Sequence, residues 1–306
     1  MRNATEDPVL AEDFDLQVSS GRIHAERFGR PDAPLVIAVP GLSANMKSFD
    51  FIGERVGGSE LQVVAMDLRG RGMSETTAPG TYGWVNHATD VVAVADALGA
   101  QKFSVLGQSM GGAVGMEVAR LAADRLERLV LIDICGMPDE TTLPLIAAAV
   151  QRLGSVYPSL QEYIGLARSL GTIVPWNQYW DRYFAYELMP VDGGVIARSN
   201  REAVLEDSDY GATAGFLNLQ TGSPRVHQLW SGLKMPVLLL RATRELMPGF
   251  GYIVPESERD AFLGAVPSAE LVEVDANHYG INVAPESPDA INRFLDPVRG
   301  KGTARR

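Results

Sequence analysis

A Gly-x-Ser-x-Gly pentapeptide between an apolar run and a helical pattern constrains the fold of this chain more than any other feature. The run 103–106 has the composition of a buried strand, and residues 112–121 have the pattern of a helix. Gly107 and Gly111 flank Ser109 by two positions each, where neighbouring backbone leaves no room for a Cβ. This setting is typical of a strained strand-to-helix turn that lifts the serine hydroxyl to the top of a sheet. The alternative is a glycine-rich turn whose serine has no chemical role.

Short apolar runs recur along the chain and alternate with stretches of helical periodicity. The predicted strands are residues 35–39, 61–66, 103–106, 129–132, 236–240 and 269–274. Continuous apolar strands separated by helices predict a mostly parallel central sheet that is flanked by helices on both faces. Residues 13–29 alternate in polarity and predict an opening hairpin, and residues 287–298 predict a closing helix.

The segment 136–230 breaks this alternation, because it contains no strong strand-forming run. Ser159 and Glu162 have the spacing of a capping box, which predicts the start of a helix. Four aromatic residues recur at helical spacing, and we interpret them as packing within the segment: Trp176, Tyr179, Trp180 and Tyr183. We therefore predict a core made of residues 1–135 and 231–306, with 136–230 inserted as a helical cap.

Charge and composition limit the partners of this 306-residue chain. Its net charge of −11 argues against nucleic acid or an anionic membrane, since both require clustered Lys and Arg. A single cysteine, Cys135, excludes a disulfide within the chain. No signal peptide or membrane-span pattern is found, so we expect a cytoplasmic protein. Metal and nucleotide motifs are also missing. We expect a small-molecule substrate, no cofactor and no metal, and homo-oligomerisation remains open.

A serine hydroxyl becomes a good nucleophile when a base takes its proton, and histidine is the usual base. The chain has four histidines. His278 follows the last predicted strand, and a loop at the carboxyl end of that strand can reach Ser109 across the sheet. His24, His87 and His227 are interpreted as structural or surface residues.

Over nearly its whole length, the chain resembles the α/β-hydrolase superfamily, including its carboxylesterases. The motifs that carry the resemblance occur in the family's order: Pro40-Gly41-Leu42 after one strand, residues 67–74 after the next, the Ser109 turn, a cap, and His278. The resemblance implies an α/β-hydrolase fold, a Ser109 nucleophile and a His278 base. It implies a structural role for residues 67–74.

The resemblance leaves two candidates for the acid that orients the histidine. Most family members carry this acid after the strand that follows the cap, where this chain has Glu245 and no aspartate. A minority carry it one strand earlier, at the position of Asp133. The acetamidomethylene-succinate hydrolases are of that type, and the chain also resembles them at residues 190–194 and 277–279. We favour Asp133 and keep Glu245 as the alternative.

The resemblance also implies an oxyanion hole made by the backbone N–H groups of Leu42 and Met110. The expected reaction is two-step acyl transfer on a small or medium hydrophobic ester or lactone, or an amide. One competing hypothesis is a C–C bond hydrolase of ring-cleavage products, whose substrate carboxylate would need a cap arginine. The candidates for that role are Arg182, Arg198 and Arg201. Two further functions fit the same residues, a cofactor-free perhydrolase and a ligand receptor on the same fold.

Overall fold

The computed structural model describes residues 11–216 and 223–296. The strands in these residues are β1 (Ala11–Val18), β2 (Gly21–Phe28), β3 (Leu35–Val39), β4 (Gln62–Met66), β5 (Phe103–Gln108), β6 (Leu126–Ile132), β7 (Val156–Tyr157), β8 (Leu188–Val191), β9 (Gly194–Ala197), β10 (Val237–Ala242) and β11 (Ala269–Val274). The α-helices are α1 (Asp50–Val56), α2 (Trp84–Ala97), α3 (Met110–Leu121), α4 (Leu143–Gln151), α5 (Leu160–Ser169), α6 (Gln178–Glu187), α7 (Arg201–Tyr210), α8 (Arg225–Leu229), α9 (Glu256–Ala265) and α10 (Glu286–Leu295). Residues 297–298 of the predicted closing helix lie outside the described ranges.

Eight strands form the central sheet in the order β1-β2-β4-β3-β5-β6-β10-β11. The β1–β2 hairpin and the β2–β4 pair are antiparallel. The other neighbouring pairs are parallel, from β4–β3 through to β10–β11. The predicted mostly parallel sheet flanked by helices is therefore confirmed. The apolar runs located its strands well because parallel strands are buried on both faces.

Successive side chains along a strand point to opposite faces of the sheet and belong to two apolar clusters. On β3, Ile37 and Val39 belong to one cluster, while Val36 and Ala38 belong to the other. Helices α2 and α3 complete the first cluster, whereas α1, α10 and the cap helix α6 complete the second. The cap thus packs into the same apolar cluster as one face of the sheet.

The inserted segment is not wholly helical, which corrects part of the domain prediction. Helices α4 to α7 are accompanied by a small antiparallel sheet in the order β7-β9-β8. Val191 pairs with Gly194 across the two-residue turn Asp192-Gly193, where Gly193 has φ 87°. These strands have four residues or fewer, which is too short for a clear alternation, although Asp-Gly is a hairpin signal. Ser159 is the N-cap residue of helix α5, as predicted, because its side-chain oxygen accepts from the Glu162 N–H at 3.2 Å.

Candidate active site

Four loops at one edge of the sheet hold the predicted site residues. Leu42 follows β3, Ser109 follows β5, Asp133 follows β6 and His278 follows β11. All four strands are parallel, so their carboxyl ends meet at the same edge. The sheet topology thereby brings together residues that are far apart in the chain, since Leu42 and His278 are separated by 236 positions.

Ser109 occupies a strained turn between β5 and α3. Its backbone has φ 54° and ψ −127°, a conformation that side-chain-bearing residues rarely adopt. A Cβ on Gly107 would lie 2.3 Å from the Gly111 carbonyl oxygen, and one on Gly111 would lie 2.0 Å from that of Val39. Both positions therefore require glycine, and the crossing backbones hold the serine at the tip of the turn.

Asp133 orients the ring of His278. Its Oδ2 accepts the Nδ1–H of His278 at 2.8 Å, and its Oδ1 accepts the Ala242 N–H at 3.0 Å. Each carboxylate oxygen of Asp133 thus has a hydrogen-bond donor. The side chain is 2% exposed, and the backbone of Asp133 has φ 50°. Donation through Nδ1 leaves Nε2 as the ring nitrogen that can take a proton.

Glu245, the alternative acid, lies in a different interaction. Its Oε2 accepts the Gly249 N–H at 2.8 Å within the loop after β10. The structure brings Asp133 to His278. The three other histidines pair with carboxylates elsewhere: His24 with Asp15, His87 with Asp207 and His227 with Glu258.

Gln108 is a site residue that the sequence reasoning missed. Its side-chain amide nitrogen lies 3.1 Å from Nε2 of His278, and the residue is 4% exposed. The signal was present, because Gln108 is the second residue of the Gly-x-Ser-x-Gly pentapeptide. Its direction could not be predicted, since a side chain at a strand end can point to either face.

The two predicted oxyanion donors lie in segments that are held in place. Met110 is the first residue of α3, where backbone N–H groups point out of the helix end. Leu42 is fixed through its carbonyl, which accepts from Nε and Nη2 of Arg71 at 3.1 and 2.9 Å. The Asp67 carboxylate fixes the same loop from below by accepting the Met46 N–H at 2.8 Å.

The aromatic row of the cap joins the cap to the core, which goes beyond the packing within the cap that the sequence predicted. Tyr179 packs edge-on against Phe51 of α1, with ring centroids 5.1 Å apart. Trp180 packs against Tyr279 at 6.2 Å, and Tyr279 packs against His278 at 5.6 Å. Burial raises the pKa of the Tyr279 phenol, so its hydroxyl is protonated at neutral pH. An apolar, aromatic roof therefore reaches the histidine.

The cap arginines proposed as carboxylate ligands bind protein groups. Arg182 donates to Glu54 at 2.8 Å, and Arg198 donates to the Tyr186 carbonyl at 2.9 Å. Arg201 is the first residue of α7. A further cap arginine, Arg152, pairs with Glu187 at 2.7 Å. Carboxylates therefore already neutralise Arg182 and Arg152, and a backbone carbonyl already accepts from Arg198.

Within residues 11–216 and 223–296, no three His, Cys, Asp or Glu side chains come together as a candidate metal site. In the same residues, no helix combines the length and the apolar character needed to span a membrane.

Comparison with curated sequences identifies several hydrolases. N-formylmaleamate deformylase of Pseudomonas putida is 36% identical over 112 residues, which cover 37% of this chain and 41% of that protein. A serine hydrolase-like protein of Danio rerio is 29% identical over 305 residues, covering 94% of this chain and 89% of that protein. Matches to serine hydrolase-like proteins of Dictyostelium discoideum and Homo sapiens span 36% to 62% of those proteins' lengths.

Comparison with solved structures supports the same fold. The crystal structure of E-2-(acetamidomethylene)succinate hydrolase superimposes with a TM-score of 0.79 at 20% identity, covering 94% of this chain and all of that one. A sequence model of the α/β hydrolase fold family matches residues 34–283. On this evidence the chain belongs to the α/β-hydrolase fold family.

Proposed function

We propose that the chain is a serine hydrolase that cleaves small or medium hydrophobic esters or lactones through an acyl-enzyme. One observation carries the proposal. A buried carboxylate, Asp133, holds the ring of His278 at the edge of the sheet where the strained turn presents Ser109. A nucleophile, a base and an orienting acid at the carboxyl ends of parallel strands in one sheet are what acyl transfer needs.

In the proposed mechanism, the Ser109 hydroxyl attacks the substrate carbonyl while Nε2 of His278 takes its proton. Asp133 stabilises the imidazolium that results. The N–H groups of Leu42 and Met110 donate to the oxyanion of the tetrahedral intermediate. His278 then protonates the leaving group, and the acyl group remains on Ser109. In the second half, His278 takes a proton from water as it attacks the acyl-enzyme. The tetrahedral intermediate then collapses, His278 returns the proton to the Ser109 oxygen, and the acid is released.

The surroundings of the site favour an uncharged substrate. Trp180 and Tyr279 bring aromatic surface to His278, and apolar surface of this kind binds apolar acyl groups. The cap arginines Arg152 and Arg182 are paired with Glu187 and Glu54. A carboxylate substrate would have to compete with those residues for them.

A small amide is the second candidate substrate class. It is favoured by the 36% identity to N-formylmaleamate deformylase over 112 residues. The same Ser109 and His278 chemistry applies, since an amine leaving group needs a proton from the base just as an alkoxide does.

The test of the function is labelling of the purified protein with a fluorophosphonate, followed by mapping of the adduct by mass spectrometry. Hydrolysis is then measured on p-nitrophenyl esters of increasing acyl length, on a lactone and on an N-formyl amide, with Ser109→Ala as the control. We expect the adduct on Ser109 and faster turnover of esters than of the amide. Absence of an adduct on the folded protein would rule out an activated serine and would favour a ligand receptor.

A further inference from the structure

We propose that Gln108 is a positioning residue for His278. In the resting state its side-chain amide occupies the Nε2 lone pair of the histidine, and it must release that lone pair before Ser109 can transfer its proton. This inference rests on the proposed serine hydrolase function and concerns the regulation of the same site.

The geometry leaves one role for Nε2 of His278. Nδ1–H donates to Asp133 at 2.8 Å, so Nε2 carries a lone pair and accepts from the Gln108 amide nitrogen at 3.1 Å. A ring nitrogen has a single lone pair in the ring plane, and it accepts one well-aligned hydrogen bond. The hydroxyl of Ser109 and the amide of Gln108 therefore compete for the same lone pair.

The surroundings of Gln108 favour one orientation of its side chain in the resting state. The residue ends β5, where it pairs with Ile132, and is 4% exposed. A Cβ on Gly41 would lie only 2.7 Å from its Oε1, so the amide of Gln108 spans from Gly41 to His278. Local packing thus selects the orientation in which the amide N–H reaches Nε2.

The amide nitrogen also lies where a reacting group must go. A leaving group or attacking water exchanges its proton with Nε2 from about 2.6–3.2 Å, and Gln108 is at that distance now. Turnover therefore requires the amide to move away. The cost is one hydrogen bond between neutral groups, which corresponds to a factor of about three to ten in the population of the reactive arrangement.

The other groups around the ring make this competition measurable. Asp133 faces Nδ1, and Tyr279 packs against the ring edge with a phenol that burial keeps protonated. Gln108 is neutral and donates only to the unprotonated form of Nε2. Removal of the donor therefore favours protonation of the ring and shifts the acidic limb of the pH–rate profile upward.

The test compares Gln108→Met, which has a similar length but no donor, with Gln101→Met at an exposed position as the matched control. The second-order rate of fluorophosphonate labelling of Ser109 is measured from pH 5 to 9. For Gln108→Met we expect labelling about three- to tenfold faster on the alkaline plateau. We also expect the acidic limb to move upward by about half a pH unit to one unit. Gln101→Met should match the parent protein.

Gln108→Glu provides an independent arm. A carboxylate beside Nε2 stabilises the doubly protonated ring, so labelling should be slower at neutral pH and recover at alkaline pH. Should Gln108→Met not fold, Gln108→Asn takes its place. The asparagine side chain is one methylene shorter, so its amide does not reach Nε2. Parent rates and an unshifted limb in the donor-free variants would overturn the inference and leave Gln108 with a packing role. Failure of the parent protein to label at Ser109 would instead overturn the proposed function itself.

Discussion

Asp207 of the cap and Arg71 of the core form an ion pair at 2.6 Å in which both side chains are fully buried. The same Asp207 oxygen accepts from Nε2 of His87 at 2.8 Å, and the other oxygen accepts the Gly83 N–H at 2.6 Å. Burial raises the pKa of Asp207, but His87 and Arg71 outweigh it and lower that pKa to about 2. Arg71 also holds the Leu42 carbonyl, so one guanidinium connects helix α7 to the loop that follows β3.

This connection predicts that Asp207→Asn reduces both stability and turnover. Removing one charge of a fully buried pair leaves the other uncompensated, which costs about 3–5 kcal/mol. Because Arg71 also fixes Leu42, kcat on an ester substrate should fall more than KM changes. Thermal unfolding and steady-state kinetics measure the two effects, with Asp192→Asn in the exposed cap turn as the control. A large loss of stability with an unchanged kcat would show that the pair stabilises the fold without positioning Leu42 for the reaction.

The contact of His278 with Asp133 predicts unequal effects of two isosteric substitutions. Asp133→Asn replaces a carboxylate that can only accept with an amide that can donate to Nδ1, so the Nδ1–H tautomer is no longer fixed. Ester turnover should fall by on the order of 10³- to 10⁴-fold. Glu245→Gln alters a loop contact with Gly249, and turnover should stay within about threefold of the parent. Steady-state kinetics decides between them, and the opposite ranking would assign the acid role to Glu245.

Gly41 is expected to be essential for activity rather than for folding. An added Cβ would lie 2.7 Å from Oε1 of Gln108 and 3.2 Å from the Cβ of Ser109. Gly41→Ala should therefore displace the Ser109 side chain from its position and lower kcat/KM by about 10- to 100-fold.

Gly264→Ala in α9 is the matched control for Gly41→Ala, since its Cβ would meet no atom within 4 Å. It should leave kcat/KM unchanged and raise stability by roughly 0.5–1 kcal/mol. Equal activities of the two alanine variants in an ester assay would show that the space beside Gly41 is not needed.

The raised pKa of Asp50 predicts that the protein loses stability as the pH rises. Burial, together with the neighbouring Glu26 carboxylate, raises the pKa of Asp50 from 3.8 to about 8, against the opposing charges of Lys47 and Arg182. Because the folded-state pKa is the higher one, this contribution to stability is complete below pH 3.8 and is lost as pH rises through 8. The slope is at most about 1.4 kcal/mol per pH unit.

The Asp50→Asn variant cannot ionise at that position, so its melting temperature should fall less between pH 5 and 8 than that of the parent. Differential scanning fluorimetry across this range measures the difference, and Asp192→Asn should follow the parent curve. Parallel curves for Asp50→Asn and the parent would mean that Asp50 titrates alike in both states.

Much of the fold could be predicted because its signals are local. Strands β3 and β11 have the predicted bounds, and the opening hairpin and the start of α5 also agree. The small cap sheet was missed because strands of two to four residues carry too little pattern. Of the candidate site residues, Ser109 was predicted from the two glycines of its turn, and His278 from its position after the last parallel strand.

By itself, the sequence determined the mostly parallel sheet and the strained turn at Ser109. These features follow from runs of apolar residues and from glycines whose spacing acts over a few residues. Only the tertiary structure decided that His278 contacts Asp133, that Gln108 reaches the same ring, and that Asp207 meets Arg71. Those contacts join residues 136 to 170 positions apart. They depend on how parallel strands bring loop ends to one edge, and on burial that gives each charged group its partner, neither of which a local pattern encodes.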